Sequence, residues 1–214
     1  MFARISSFKG TTSQIEAITA LIRDRIEPSL RTQTGFLGIA TVVDRATGEG
    51  HSATYWSTGA EMGAAEEMGV AARSEAAECT GLQLTDVDRF EVLLQDRVAQ
   101  SEVGTVGRTT ELRGAPDKVD ATVAFMKDKG IGLLRARKGY RAMMVMANRA
   151  SGRIRITSSW NSAVERDNTQ QVPSNIREEV ARVAGSPGAR VICFEVVQAS
   201  VSTAAQQAAT AATC

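Results

Sequence analysis

Asp44-Arg-Ala-Thr-Gly48 stands eight residues before Trp56, and Asn148-Arg-Ala-Ser-Gly152 stands eight residues before Trp160. The two tryptophans set an offset of 104 residues, at which the chain aligns with itself without a gap. A repeat at one fixed offset is the signature of a duplicated structural unit. The sequence therefore predicts two copies of one unit, and the same offset pairs Arg4 with Arg108, Gly10 with Gly114, Glu61 with Glu165, Arg73 with Arg177, and Phe90-Glu91-Val92 with Phe194-Glu195-Val196.

The spacing of apolar residues predicts the order strand, helix, strand, strand, helix, strand within each copy. Five apolar residues recur every three or four positions and so predict one buried face of a first helix: Ile15, Ile18, Ile22, Ile26 and Leu30. The equivalent helix of the second copy opens at Ala115-Pro116-Asp117, where proline suits a first helical turn. Gly130 and Gly132 predict that this second helix ends earlier than the first.

The repeated turn sequences join two strands in each copy. Strands over 36–43 and 50–56 flank Asp44-Arg-Ala-Thr-Gly48, whose length and terminal glycine favour an antiparallel hairpin with a left-handed glycine. After the tryptophans, Thr58-Gly-Ala-Glu61 and Ser162-Ala-Val-Glu165 have the spacing of a capping box. A later helix is expected there in both copies, interrupted near Gly69 and Pro173, with last strands over 88–95 and 191–198.

A βαββαβ unit of this length is the ferredoxin-like arrangement, a four-stranded antiparallel sheet with two helices on one face. The predicted class is α+β, with two such units packed sheet to sheet as an intramolecular α+β barrel, because each bare sheet face needs a cover. The expected boundaries are a first unit over 1–96, a linker over 97–105, a second unit over 106–200, and a low-complexity tail over 201–214 rich in Ala, Thr, Ser and Gln.

Composition narrows the classes of function. The 25 Lys and Arg residues nearly balance 24 Asp and Glu, a formal charge of +1, so nucleic acid and membrane surfaces are not expected partners. Three distant cysteines fit neither a disulfide scaffold nor a thiolate metal site, which favours a reducing cytoplasm. The single histidine, His51, argues against most catalytic zinc sites, and no metal site is expected.

Several short motifs resemble the dimeric α+β barrel superfamily, and within it the antibiotic biosynthesis monooxygenase-like proteins. The resemblance rests on Gly35-Phe36-Leu37-Gly38, Tyr55-Trp56-Ser57 and Phe90-Glu91-Val92, with partial copies in the second half. It implies that two units form a barrel, here as a pseudo-dimer within one chain, with a further homodimer left open. It also implies a ligand pocket in each unit between the sheet and its own helices.

The resemblance implies a small-molecule ligand and two kinds of activity. Some relatives oxidise polycyclic phenols with dioxygen and without metal or flavin, so we expect a cofactor-independent monooxygenase acting on an aromatic or phenolic substrate. Others bind or degrade haem through an Asn, a Trp and a His, but here Arg4 or Arg108 stands at the asparagine position. A non-catalytic ligand-binding or sensing module, and haem binding through other ligands, remain the alternatives.

Two repeated residue types are the candidate site. Trp56 and Trp160, at the junction of strand and helix, are read either as core residues or as pocket walls that hold a ligand ring. Arg4 and Arg108 are the candidate catalytic residues, stabilising negative charge on a bound enolate or phenolate.

Other candidates have simpler interpretations. Glu91 and Glu195 either form cross-strand ion pairs with Arg4 and Arg108 or line the pocket beside them. Tyr55 is a candidate ligand contact and proton donor or acceptor, although Ser159 replaces it in the second copy. Arg73 and Arg177 are assigned to a solvated helix face.

Overall fold

The computed structural model describes residues 1–168 and 171–201, and only the backbone of 171–175. The chain divides into two compact units. The first contains Met1–Phe90, Glu102–Gly104 and the chain from Glu195; the second contains Glu91–Ser101 and Thr105–Phe194. No helix in these described parts is both long and apolar enough to cross a membrane. The predicted tail over 201–214 lies, after residue 201, outside the described residues.

The strands and helices follow the predicted order. The strands are β1 (Phe2–Lys9), β2 (Phe36–Asp44), β3 (Glu49–Trp56), β4 (Gln83–Arg97), β5 (Val106–Arg113), β6 (Tyr140–Asn148), β7 (Arg153–Trp160) and β8 (Ala189–Val201). The α-helices are α1 (Thr12–Leu21), α2 (Glu27–Leu30), α3 (Gly59–Ala64), α4 (Glu66–Thr80), α5 (Val119–Phe125), α6 (Ile131–Arg135), α7 (Ala163–Asp167) and α8 (Gln171–Ala184).

The described strands hydrogen-bond in the order β1-β3-β2-β8-β5-β7-β6-β4, an antiparallel eight-stranded barrel order. The mixed α and β content and the antiparallel sheet confirm the predicted class at this level. In the first unit, β3 pairs with β1 and β2, and β2 pairs with the end of β8 from Val43↔Glu195 to Gly38↔Val201. In the second unit, β7 pairs with β5 and β6, and β6 pairs with the end of β4.

The first helix buries the face that its apolar spacing predicts. Thr11 and Gln14 form a capping box at its start. A π-helical segment, Ile22–Ile26, connects α1 to α2. The prediction is confirmed because all five residues of the face are buried: Ile15, Ile18, Ile22, Ile26 and Leu30.

The equivalent helix of the second unit does not end at Gly130, so that prediction is wrong. A 3₁₀ turn at Pro116–Lys118 leads into α5, the π-helical segment Met126–Gly130 and then α6. A Cβ at Gly130 would lie 2.4 Å from the Met126 Cε atom. This glycine lies inside the helix, and the end of the Met126 side chain occupies the space beside it.

The interruption of the later helix is also displaced from its predicted place. The break falls at Ala65, with φ −88° and ψ 18°, and Gly69 lies inside α4. In the second unit, residues 169 and 170 between α7 and α8 are not described, and α8 runs through position 173. A proline in the first helical turn does not end the helix, because an N–H there has no intrahelical acceptor.

The hairpin turns have the predicted geometry. Gly48 has φ +71° and Gly152 has φ +70°, a left-handed conformation that glycine adopts without a steric penalty. The β2–β3 register closes at Asp44↔Glu49, and the β6–β7 register closes at Asn148↔Arg153. Strands of both hairpins contribute residues to the walls of the cavities described below.

Candidate functional site

The first unit contains a cavity of about 80 Å³ between its sheet and its own helices. We call it the first cavity. β1, β2 and β3 supply one wall, and the first helix and α4 supply the other. Its described lining includes Arg4, Ser52, Thr54, Ala72, Arg73 and Ala76.

The first cavity is apolar over most of its wall. Ile18, Ile22, Ile26 and Leu30 line it from the first helix, and Ile39 lines it from β2. Since Ile18 and Leu30 are twelve residues apart, the lined side extends for roughly 18 Å along the helix. Transfer of an apolar molecule from water to such a wall lowers the free energy. The few polar side chains of the lining then fix the orientation of the molecule.

Arg4 brings a buried positive charge to this cavity. The residue is 2% exposed. Its Nη2 donates to the Met62 carbonyl and lies 2.8 Å from Glu66 Oε2, while Nη1 donates to the Ala65 carbonyl at 3.4 Å. Its Nε is buried without a hydrogen-bond partner in the described structure. The guanidinium is therefore anchored at the α3–α4 break with one donor unused.

Trp56 supports Arg4 rather than facing the ligand space. The indole is fully buried and its ring centroid lies 5.9 Å from the Arg4 guanidinium carbon. Its Nε1 donates to the Thr54 hydroxyl at 3.1 Å, and Phe36 packs edge-on against it. Such a contact between a cation and an aromatic face is favourable where water is excluded. Trp56 is absent from the described lining of the first cavity.

The Glu66 carboxylate forms ion pairs with three arginines, two of which line the first cavity. Its carboxylate lies 2.8 Å from Arg4, 2.9 Å from Arg73 and 2.6 Å from Arg89. Burial raises the pKa of Glu66, but hydrogen bonds from Arg89 and Arg73 and the charge of Arg4 outweigh it, so the pKa lies below its ordinary value. Glu66 alone does not balance the three positive charges that contact it.

Burial also lowers the pKa of Arg4, opposed by Glu66 and reinforced by the charges of Arg73 and Arg89. An arginine nevertheless keeps its proton under all ordinary conditions, so it acts as a fixed charge and a hydrogen-bond donor. Any part that Arg4 has in chemistry is electrostatic.

Gly69 lets the two arginines of the first cavity approach each other. A Cβ at this position would lie 2.5 Å from Arg4 Nη1 and 3.1 Å from Arg73 Nη1. Both guanidinium groups therefore converge on the space that a side chain would fill. This close approach explains a glycine inside α4, where its helix propensity is unfavourable.

The second unit has an equivalent but smaller cavity of about 50 Å³, which we call the second cavity. Arg108 lines it, donates to the Arg166 carbonyl at 3.1 Å and lies 3.6 Å from Asp167. Arg177 also lines it, and burial followed by the charge of Arg108 lowers its pKa. Trp160 is 1% exposed and also belongs to the described lining of the second cavity.

The predicted ion pairs between Arg4 or Arg108 and the last-strand glutamates are wrong. Glu91 pairs with Arg149 at 2.8 Å, and Glu195 pairs with Arg45 at 2.9 Å. These glutamates are about one-third exposed and meet the arginine of a hairpin turn. Arg4 and Arg108 instead reach the ends of α3 and α7, whose last carbonyls need donors.

The remaining predicted site residues lie away from the cavities. Tyr55, Glu91 and Glu195 are absent from the described lining of both cavities. Among the described residues, no group of three or more His, Cys, Asp or Glu side chains could hold a metal ion.

Sequence reasoning missed two residues of the site. It assigned Arg73 to a solvated helix face, but the side chain is only 15% exposed and lines the first cavity. Its repetition as Arg177 was the available signal. Glu66 carried no such signal, because the equivalent residue in the second copy is Gln170.

Comparisons with known proteins identify solved structures that share this architecture. No family model matches the chain. The uncharacterized protein Rv2557 of Mycobacterium tuberculosis (strain ATCC 25618 / H37Rv) is 26% identical over 172 residues, which cover 79% of this chain and 76% of that protein. A crystal structure of an anthrone oxidase-like protein superposes with a TM-score of 0.69 at 15% identity, covering 94% of this chain and 92% of that one.

Two further solved structures, both from Listeria monocytogenes, have the same architecture at 9% identity. A ferredoxin fold protein related to antibiotic biosynthesis monooxygenases, from strain 4b F2365, gives a TM-score of 0.53 and covers 92% of this chain and 95% of that one. The heme-degrading enzyme LmHde gives a TM-score of 0.52, and the match covers 91% of this chain and 99% of that one.

The chain has the same fold as these solved structures. The resemblance drawn from its short motifs is confirmed for the fold. At these identities a shared α+β barrel fold carries no activity with it, because one fold hosts many functions. Function has to be argued from the cavities.

Proposed function

We propose that the chain binds a small aromatic or phenolic molecule in the first cavity and oxidises it with dioxygen, without a metal or organic cofactor. The observation that carries the proposal is the convergence of Arg4 and Arg73 at the end of an apolar cavity. An apolar wall favours the ring system of such a molecule, and the paired guanidinium groups favour its negatively charged form.

The two arginines supply the step that makes such a substrate reactive. A phenol has a pKa of about 10, and a positive charge within a few ångströms lowers the pKa of a neighbouring acid by about 1 to 3 units. Bound beside Arg4 and Arg73, a phenol, or a CH₂ group of similar acidity, has a pKa of about 7 to 9 and loses its proton to water in part at neutral pH. The resulting anion is held by the guanidinium groups without a histidine or carboxylate base.

The anion then supplies electrons to dioxygen. In the net reaction a ring CH₂ group becomes C=O: one oxygen atom enters the substrate, and the other leaves as water with the two hydrogens of the CH₂ group. Fixed positive charge that is already oriented in the cavity stabilises the anion without reorganisation. Trp56 acts through Arg4 as a positioning residue, because it packs against that guanidinium outside the lining.

Oxygen uptake with anthrone tests this function, because anthrone carries the ring CH₂ group that the net reaction converts to C=O. We expect consumption above the spontaneous rate and incorporation of one atom from ¹⁸O₂ into the product, both lost in Arg73→Met. Catalysis is contradicted if uptake never exceeds the spontaneous rate while anthrone binds.

A non-catalytic binding module is the second candidate. The observation in its favour is that no Asp, Glu, His or Tyr occurs in the described lining of the first cavity. Binding without oxygen uptake is its signature. A Soret shift on adding haem would support the haem alternative instead.

We also propose that 1–96 and 106–200, joined by 97–105, are duplicated ferredoxin-like units that pack sheet to sheet as a pseudo-dimer. The π-helical segments at Ile22–Ile26 and Met126–Gly130 support the duplication, because they fall at the repeat offset. An isolated 1–98 fragment lacks the β8 residues that pair with β2 and should dimerise or precipitate. A monomeric, soluble fragment would contradict the packing.

A further inference from the structure

The two cavities have corresponding walls. At the repeat offset, Arg4 and Arg73 of the first cavity correspond to Arg108 and Arg177 of the second. Leu30 likewise corresponds to Leu134. Both cavities are therefore lined by a pair of arginines. Because this pair is common to both, it does not explain why the first cavity is larger than the second.

The walls differ where the second unit carries bulkier aliphatic side chains. Three positions change from small in the first cavity to large in the second, from Ser52 to Ile156, from Ala72 to Ile176 and from Ala76 to Val180. Val180 is 2% exposed and belongs to the core of its unit. At these three positions the second cavity has the bulkier side chain. The volumes agree with this difference in side-chain size, at about 80 Å³ for the first cavity and about 50 Å³ for the second.

We infer that, within the described parts of the chain, ligand binds in the first cavity alone, with one aromatic monoanion per chain. Ser52, Ala72 and Ala76 determine this specificity because their small side chains leave room for the ring body. The inference rests on the proposed function, since it concerns the same arginine-ended cavity. The second unit then serves as a structural copy whose ligand space is filled.

The class of ligand follows from the lining. The apolar wall suits a ring that needs no hydrogen-bond partners, while the positive charge lies at the end lined by Arg4 and Arg73. Glu66 contacts both arginines but is not in the described lining. A flat apolar body with one terminal anionic group matches both features. A neutral molecule of equal shape loses the charge-assisted hydrogen bonds, which are about twice as strong as neutral ones.

Isothermal titration with 2-naphthoate, and with its neutral isostere 2-naphthamide, tests the inference. We expect one equivalent of 2-naphthoate per wild-type chain and weaker binding of the amide. Ala72→Ile copies the second cavity into the first and should raise the Kd for 2-naphthoate about tenfold or more, the effect of overpacking a filled site. Ala71→Ile is the matched control, because it adds the same side chain at an exposed position of α4.

The reciprocal change opens the second unit. Ile176→Ala with Val180→Ala restores the small residues of the first cavity, and we expect a second equivalent of 2-naphthoate. If this double variant fails to fold, Ala72→Ile with its control decides the inference alone. Two equivalents for the wild type, or unchanged affinity in Ala72→Ile, would overturn the inference while leaving the proposed ligand binding intact. Absence of binding by the wild type would overturn the proposed function itself.

Discussion

Arg73 Nη2 lies 2.9 Å from Glu66 Oε1, on the helix wall of the first cavity. This pair links the ligand space to a carboxylate that two other arginines, Arg4 and Arg89, also contact. The guanidinium of Arg73 is thus oriented by a partner on its own helix, seven residues and about two helical turns earlier in the chain. A bound anion meets a donor whose direction is already fixed.

Replacing Arg73 should weaken ligand binding more than it weakens the fold. A hydrogen bond to a charged group contributes about 1.5 to 3 kcal/mol, so Arg73→Met should raise the Kd for 2-naphthoate about 10- to 100-fold. Titration calorimetry measures the change. Arg177→Met removes the equivalent residue of the second cavity and should leave the Kd within a factor of two of the wild type. Equal losses in both variants would contradict the assignment of binding to Arg73.

Replacing Arg4 should reduce stability and activity together. Its side chain is 2% exposed and bridges the carbonyls of Met62 and Ala65 with Glu66. Arg4→Met leaves the Met62 and Ala65 carbonyls without this donor, while Glu66 keeps Arg73 and Arg89 as partners. A buried group left without its partner costs about 1 to 3 kcal/mol, so the free energy of unfolding should fall by an amount of that order. Thermal and urea melts give the value. A variant that melts like the wild type but has lost turnover would mean a purely catalytic role.

Gly69→Ala separates the two arginines without removing either. Alanine favours a helix interior by about 1 kcal/mol over glycine, but its Cβ would lie 2.5 Å from Arg4 Nη1. We expect the guanidinium groups to be displaced, and affinity for 2-naphthoate to fall while the unfolding free energy changes less than in Arg4→Met. Gly63→Ala is the control, since a Cβ there meets nothing within 4 Å. Undiminished affinity in Gly69→Ala would show that the convergence is unnecessary.

Glu66 should make the free energy of unfolding of the chain depend on pH. Its pKa is below the ordinary value in the folded state, so its contribution is present above the unfolded pKa of about 4.3 and disappears as pH falls through the lower, folded pKa. Glu66→Gln should therefore be less stable than the wild type at pH 7, and the difference should shrink below about pH 4. Urea unfolding at several pH values measures it. A difference that stays constant with pH would exclude the ionised carboxylate as its source.

The sequence alone determined the order of strands and helices and the residues of the first helix that face the core. Both depend on local spacing, as in the period of three to four residues for the face that carries Ile15, Ile18 and Ile22. The left-handed glycines at 48 and 152 were also predictable, because a short hairpin turn needs them.

Only the tertiary structure decided the partners of the charged residues. Repetition identified Arg4 and Glu91, yet Arg4 pairs with Glu66 and Glu91 with Arg149, because side-chain direction and the helix ends within reach are set by packing between distant segments. Gly69 is the sharpest case. Its sequence context indicates a helix break, whereas the fold places the Arg4 side chain against it and makes a missing Cβ the condition for two converging guanidinium groups.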